Sequence, residues 1–258
     1  MTVQIFTSVV NRPDFVEIQK KLFDKFLAEE YQFNVVDDSL DDNISAEFKQ
    51  ICEKYKIIYY RKDQGNRSVN ESRWAGARHA TETIQWTFDE IIKKKHSKDI
   101  ILFLDSDMFL LDEFNITEYM KDTAISGLPQ TRGHVYYMWN GIMFFDMEKV
   151  FEIDPDLNFS DGMVDGELTD IGGHFYYYFK KNNVIMKETD VTYPTHFHDI
   201  EIQSDEITNG FNFELHLNGK FLHYRAGTNW HTQTNWKGKV DPLQEKAKIF
   251  EKIISNFI

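Results

Sequence analysis

A single cysteine, Cys52, is present in the 258 residues, so no internal disulfide can form and a reducing compartment is expected. Basic residues are also scarce: 29 Lys and Arg stand against 42 Asp and Glu, a formal net charge of −13. A surface of that sign repels a phosphate backbone, which excludes nucleic acid as an expected partner. No uncharged apolar run approaches the ~20 residues that span a bilayer. The opening residues Met1 to Phe6 lack the charged, apolar and small-residue order of a signal peptide. Together these point to a cytoplasmic chain without a transmembrane segment. Repeats and linkers are missing as well, so one domain over residues 1–258 is expected.

What is present is apolar and periodic. With 41% hydrophobic residues the chain has ample material for a core, and its aromatics cluster at Tyr136 to Phe145 and Phe175 to Phe179. Some of these rings belong to the core, and others form a surface on which sugars could stack. Val3 to Val10 is β-rich, and Phe15, Ile18, Leu22 and Phe26 then mark a helix with Pro13 in its first turn. Tyr31 to Val36 predicts a second strand, closed by the acidic turn Asp37 to Asn43. Ser45 is expected to cap a short helix through Lys54, and Lys56 to Tyr60 predicts a third strand. After a polar loop from Arg61 to Ser72, the residues Ala77, Ala80, Ile84, Phe88 and Ile91 trace a long helix ended by Lys93, Lys94 and Lys95.

This alternation predicts an α/β fold: a mainly parallel, Rossmann-like nucleotide-binding half over residues 1–111, then a mixed α/β half over residues 112–258. In the second half, strands are expected at Thr123 to Leu128 and Val135 to Asp146, followed by a loop carrying Gly162, Gly166, Gly172 and Gly173. A helix over His174 to Lys181 and short β segments at Val184 to Lys187 and Lys220 to Tyr224 come next. The last helix starts at Asp241 and Pro242, with Gln244 completing a capping box.

The chemistry concentrates at Ile100 to Leu111. Five apolar residues free of Gly and Pro read as a strand buried on both faces, and they stop at Asp105 and Asp107. Side chains two apart on a strand point the same way, so both carboxylates are expected to emerge together at the strand's C-terminal edge, where open α/β sheets place ligands. Two hard oxygen ligands there suit Mn²⁺ or Mg²⁺ carrying a phosphorylated substrate. The alternative is a polar turn closing a core strand. His196 and His198 have strand spacing for a separate metal centre. His79, His134 and His174 read as hydrogen-bonded structural residues.

Several of these stretches, in order along the chain, resemble the nucleotide-sugar-dependent glycosyltransferases of the GT-A fold. Phe6 to Arg12 is similar to the first strand and loop that hold the nucleotide, which implies Thr7, Asn11 and Arg12 as contacts. Val35 to Ser39, with Asp37, is similar to the acidic turn that receives the base. Arg73 to His79 resembles the helix start that supplies arginines, here Arg73 and Arg78. Leu104 to Asp107 matches the metal motif of two aspartates separated by one residue, and Trp139 to Phe145 resembles the Asn-Gly strand beyond it. Leu222 to Trp230 is similar to the C-terminal segment that closes over the diphosphate, implying His223 as third metal ligand and Arg225, Gly227, Asn229 and Trp230 as nucleotide contacts.

The resemblance implies a hexosyltransferase-like enzyme using Mn²⁺ or Mg²⁺ and a nucleotide-sugar donor, a UDP-sugar, with a glycan or other hydroxyl compound as acceptor. Asp105 and Asp107 would carry the electrostatic work, and the loop acids Asp165 and Asp170 would orient or activate the acceptor hydroxyl. Two rival readings use the same residues. A haloacid-dehalogenase-type phosphohydrolase also ends a buried strand in Asp-x-Asp, but begins with that motif, whereas three α/β units precede Asp105 here. A non-catalytic carbohydrate-binding protein would use the aromatics and leave the first half unexplained. A sugar nucleotidyltransferase shares the core fold, but the loop after Val10 lacks its Gly-rich, basic signature.

Overall fold

The computed structural model describes residues 2–65, 73–202, 204–205, 210–211, 213–225, 227 and 242–258, without the side chains of 73–77, 204–205, 210–211 and 242–245. The first half is built from β1 (Val3–Val9), α1 (Pro13–Phe26), β2 (Tyr31–Asp37), α2 (Asp42–Tyr55), β3 (Ile58–Arg61) and α3 (Arg73–Thr87). A π-helical turn at Phe88–Ile92 and α4 (Lys93–Lys95) extend α3 up to β4 (Ile100–Asp105). Then come β5 (Met108–Leu110), α5 (Ile116–Met120), β6 (Ile125–Arg132), β7 (Val135–Asp146), α6 (Met147–Ile153), β8 (Gly162–Val164), β9 (Glu167–Thr169) and α7 (Phe175–Asn182). The two-residue strands β10 (Lys187–Glu188), β11 (Val191–Thr192), β12 (His196–Phe197), β13 (Ile200–Glu201), β14 (Ser204–Asp205) and β15 (Gly210–Phe211) lead to β16 (Phe213–His216), β17 (Phe221–Tyr224) and α8 (Pro242–Ile254).

The main sheet runs β10-β6-β7-β4-β1-β2-β3. Its strands β3, β2, β1 and β4 are parallel, and β7 joins β4 antiparallel, so strands of both halves of the sequence share one sheet. The mainly parallel first half and mixed second half expected from the sequence are the ones observed. A smaller sheet, β11-β16-β17-β5, packs across α1.

The continuous apolar run of β4 is explained by burial on both faces. Ile101 and Phe103 join the core beneath α3, while Ile100, Leu102 and Leu104 join the core beneath α1 and α2. Burial of five such side chains contributes about 7–15 kcal/mol, enough to hold a strand whose end is acidic. Helix α1 serves two cores: Val16 and Phe23 face the main sheet, whereas Phe15 and Leu22 meet Phe109, Leu222, Tyr224 and Phe250 of the small sheet and α8. That double use ties the small sheet to the end of β4.

Several expectations are corrected in detail. Asp41, not Ser45, caps α2 by accepting from Asn43 N at 2.8 Å, and Ser45 is buried in the first turn. Strand β3 begins two residues later than expected because Lys56 adopts a left-handed φ of 55° that closes α2. The glycine-punctuated loop is a hairpin, β8 and β9, turned by Asp165 and Gly166 with φ of 48° and 88°. Asp-Gly is favoured in such a two-residue turn because both residues need positive φ. Helices α5 and α6 were not anticipated, although their caps Asn115 and Asp146 are ordinary N-cap residues. The capping box at Asp241 and Gln244, part of the loop from Arg61 to Ser72, and the side chain of Ala77 fall outside what the structure describes. No helix among the described residues is long and apolar enough to cross a membrane.

Candidate functional site

Strand β1 pairs with β2 on one side and β4 on the other, so chain order reverses between β1 and β4. Such a switch point opens a crevice at the strands' carboxyl ends. Asp105 sits there, opposite Ser8 in the parallel register. The sequence expectation of one strand through both acids is corrected: β4 ends at Asp105, Ser106 and Asp107 form a turn, and the chain leaves as β5 for the small sheet. Fully buried Gln19 on α1 fixes that turn, its Nε2 donating to the carbonyls of Asp105 and Met108, both at 2.9 Å. Tyr224 N donates to the Asp107 carbonyl at 2.8 Å, and β17 lies antiparallel to β5 with His223 opposite Met108.

The turn still brings the acids together. Asp105, Asp107 and His223 each offer one ligand atom, and these atoms lie within 4.8 Å of one another. His223 Nε2 is 3.5 Å from Asp107 Oδ1, and its Nδ1 is 2.8 Å from Glu214 Oε2. Glu214 stands opposite His223 on β16, and its Oε1 takes Arg225 Nε at 3.0 Å. The second Asp107 oxygen, Oδ2, accepts from Gly227 N at 2.8 Å.

Electrostatics show what this arrangement lacks. Burial, then the charge of Asp107 and that of Asp170, pushes the Asp105 carboxyl up to about 7, against the opposing pull of His223. For His223, burial alone would lower the value, but Asp107 and Glu214 outweigh it and hold the imidazole at about 9. Burial would raise Glu214, yet the closeness of His216, the hydrogen bond to His223 and the charges of His223 and Arg225 take it well below the usual carboxylate range. The acid pair therefore calls for positive charge, and an imidazolium supplies it. Two carboxylates and one imidazole also fit a hard divalent cation such as Mn²⁺ or Mg²⁺, which would supply that charge in place of the proton.

The other expected contacts divide. Thr7 is fully buried on β1, alongside Leu104 of β4, and its Oγ1 has no hydrogen-bond partner among the described residues. Val10 and Asn11 form the bend that follows β1, and Arg12 stands at the start of α1. The Arg12 guanidinium stacks 3.6 Å over Phe15, reaches the Gly227 carbonyl at 3.4 Å, and forks onto Asp14 at 2.8 and 2.5 Å. Asp37 is fully buried at the end of β2, where its oxygens take Ser39 N and Tyr59 Oη. Arg73 opens α3, with its side chain outside the description, and Arg78 is exposed one turn later. Asn229 and Trp230 lie outside the described residues.

Of the loop acids, Asp170 is exposed after β9 and adds to the field at Asp105. Asp165 sits at the hairpin tip, its carboxylate engaged by Tyr176 Oη at 2.7 Å and His134 Nε2 at 3.1 Å, which lowers its pKa. His134 and His174 are hydrogen-bonded as expected, His134 to Asp165 and His174 facing Asn158 at 3.3 Å. The proposed pairing of His196 and His198 is corrected. His198 turns out of β12 with φ of 51°, so strand spacing no longer applies, and neither metal-capable group among the described residues includes them.

Gly227 has a specific steric role: a Cβ there would meet Tyr224 Cδ1 at 2.3 Å and Phe15 Cε2 at 2.9 Å. Gly227→Ala is expected to lower stability by about 1–3 kcal/mol through overpacking and to weaken Mn²⁺ binding, because the amide can no longer reach Asp107. Thermal denaturation and metal calorimetry on the same variant check both effects.

Gln19, Glu214 and His216 were missed by sequence reasoning. Glu214 and His216 have the same strand spacing that singled out His196 and His198, but lie in a stretch not recognised as a strand. Trp139 bridges to them: its ring stacks on His216 with centroids 6.0 Å apart and tilts against His223 at 5.3 Å. Gly141 makes room, since a Cβ there would sit 1.9 Å from the Trp139 ring.

No protein-family model and no curated protein sequence matches the chain. Among solved structures it is similar to mouse xyloside xylosyltransferase 1 in its apo form, at 10% identity over 73% of this chain and 85% of that one, with a TM-score of 0.44. It is similar also to the mannosyltransferase PcManGT from Pyrobaculum calidifontis in complex with GDP-Man and Mn²⁺, at 11% identity over 72% of this chain and a TM-score of 0.47. A third is the mannosyltransferase Ktr4p from S. cerevisiae, at 9% identity over 58% of this chain and a TM-score of 0.38. The chain spans 54% and 57% of the lengths of the two mannosyltransferases.

Proposed function

We propose that this chain is a metal-dependent glycosyltransferase that moves a sugar from a nucleotide-sugar donor, a UDP-sugar, to a glycan or other hydroxyl acceptor. The observation that carries the reading is the convergence of Asp105, Asp107 and His223 at the carboxyl ends of β1 and β4, where the sheet's order reverses. Asp107, His223 and Asp105 would hold Mn²⁺ or Mg²⁺. When bound, that cation neutralises charge developing on the departing diphosphate.

The remaining residues then have distinct tasks. The loop of Asn11 and Arg12, which leaves β1 beside the acids, would line the donor. Arg12 lies against Gly227 and so brings a guanidinium close to Asp107, although a phosphate would have to share it with Asp14. Glu214 holds His223 Nδ1 and thereby aims Nε2 at Asp107. Asp170, whose charge is felt at Asp105, is the favoured group to orient or deprotonate an acceptor hydroxyl. Asp165 is already committed to Tyr176 and His134.

A thermal-shift series with UDP, UDP-sugars and GDP, in Mn²⁺ or in excess EDTA, tests the reading. UDP should raise the melting temperature only in Mn²⁺, because a ligand stabilises the state that binds it. Equal UDP stabilisation in EDTA would overturn the proposal, and a phosphoryl group trapped on Asp105 would replace it with the hydrolase.

A further inference from the structure

Three residues of the small sheet form a second cluster that the proposed reaction does not use as such. On β16, Glu214 and His216 are two apart and share a face, and the antiparallel register sets His223 of β17 opposite Glu214. Glu214, His216 and His223 each present a ligand atom, and all lie within 4.8 Å of one another. All three residues are buried, His216 completely.

His216 is the anomaly. Both of its ring nitrogens are buried and have no hydrogen-bond partner among the described residues. Its Nε2 comes only to 3.4 Å from Glu214 Oε2, without hydrogen-bond geometry. Buried polar nitrogens are nearly always paired, and an ion is one of the few ways to satisfy a neutral imidazole here. Trp139 stacked on the ring restrains its rotation and keeps the face apolar.

We propose that Glu214, His216 and His223 form a Zn²⁺ site. A tetrahedral ion with ligands at 2.0–2.1 Å holds them about 3.3 Å apart, a spacing that the 4.8 Å span of these three atoms lets small side-chain shifts reach. Glu214 Oε2 is 2.8 Å from His223 Nδ1 and 3.4 Å from His216 Nε2, while Arg225 occupies the other carboxylate oxygen. Two imidazoles and one carboxylate are softer than the two carboxylates and one imidazole at Asp105 and Asp107, so the two sets prefer different metals.

The shared histidine makes the sites antagonistic. An ion at Nδ1 would draw electron density from the ring and put a second dication beside Asp105 and Asp107, so a cation held at Nε2 binds more weakly. Zn²⁺ binding itself rests on the geometry of β16 and β17, whereas the antagonism also rests on the proposed function.

Zinc K-edge X-ray absorption on the wild-type protein loaded with one equivalent of Zn²⁺ reads the ligands directly. Two imidazole ligands are expected, and a spectrum with one or none would overturn the proposal. Calorimetry separates the sites further. His216→Phe, which keeps a ring under Trp139, should weaken Zn²⁺ by more than about a hundredfold, beyond the usual effect of losing an outer-shell partner, and leave Mn²⁺ affinity unchanged. Asp105→Asn/Asp107→Asn should do the reverse. If that double variant loses Zn²⁺ while His216→Phe keeps it, the zinc belongs to the aspartates and the proposal fails. Zn²⁺ should lower the apparent Mn²⁺ affinity of the wild type. If Zn²⁺ binds through both histidines without doing so, the antagonism is overturned while the site stands.

Discussion

Asp107→Asn is expected to lower sugar transfer by at least about a hundredfold, the scale seen when one preorganised electrostatic contact is removed from an active site. The substitution is chosen because it keeps shape. An amide oxygen can still accept from Gly227 N, which lies 2.8 Å from Asp107 Oδ2, so the segment after β17 should stay in place. What is lost is the charge that faces His223 Nε2 at 3.5 Å and would hold the cation. Steady-state kinetics across a Mn²⁺ series, together with a melting curve, read the two parts separately. A folded variant that transfers sugar within a factor of ten of wild type would remove Asp107 from the metal site.

The effect of metal on stability is expected to grow as pH rises from about 4 to about 9. Without metal, Asp105 is pushed up to about 7 from an ordinary value of 3.8. Between those values the folded chain keeps a proton that the unfolded chain has released, so stability falls as pH rises through this window. His223, held at about 9 against an ordinary 6.5, acts in the same direction: its contribution is full below 6.5 and is lost as pH rises through about 9. Metal ligands must be deprotonated to bind, so Mn²⁺ affinity and the stabilisation it brings increase over the same range. The measurement is the difference in melting temperature between saturating Mn²⁺ and EDTA, taken at each pH. A difference that does not change with pH would mean that neither Asp105 nor His223 is displaced from its proton by the ion.

The aspartate pair and His223 were legible in the sequence because each followed from local pattern or motif order. A buried apolar run ending in Asp-x-Asp needs no tertiary information to be noticed. Glu214 was not legible in that way. Its importance comes from standing opposite His223 across β16 and β17, and a cross-strand partner is set by register rather than by spacing along the chain. Gln19 shows the same limit from a helix: it is a polar residue on a buried face, and only the position of the Asp105 and Met108 carbonyls gives it a partner.

His196 and His198 mark the opposite error, since strand spacing was present but a left-handed φ at His198 ended the strand. Asp37 and Asp165 show another limit of the sequence. Asp37 ends β2 and Asp165 tips a hairpin, and only the folded chain shows that Tyr59 and Ser39, or Tyr176 and His134, bond their oxygens.

By itself, then, the sequence determined the α/β alternation, the parallel strands β1 to β4 and the acidic end of β4, because burial on both faces and helical periodicity are written into consecutive residues. Only the tertiary structure decided that Gln19 and Glu214 support that end and how His223 reaches it. The small sheet is carried to it by β5 and held by the second face of α1, and strand pairing across more than a hundred residues leaves no periodic trace in the chain.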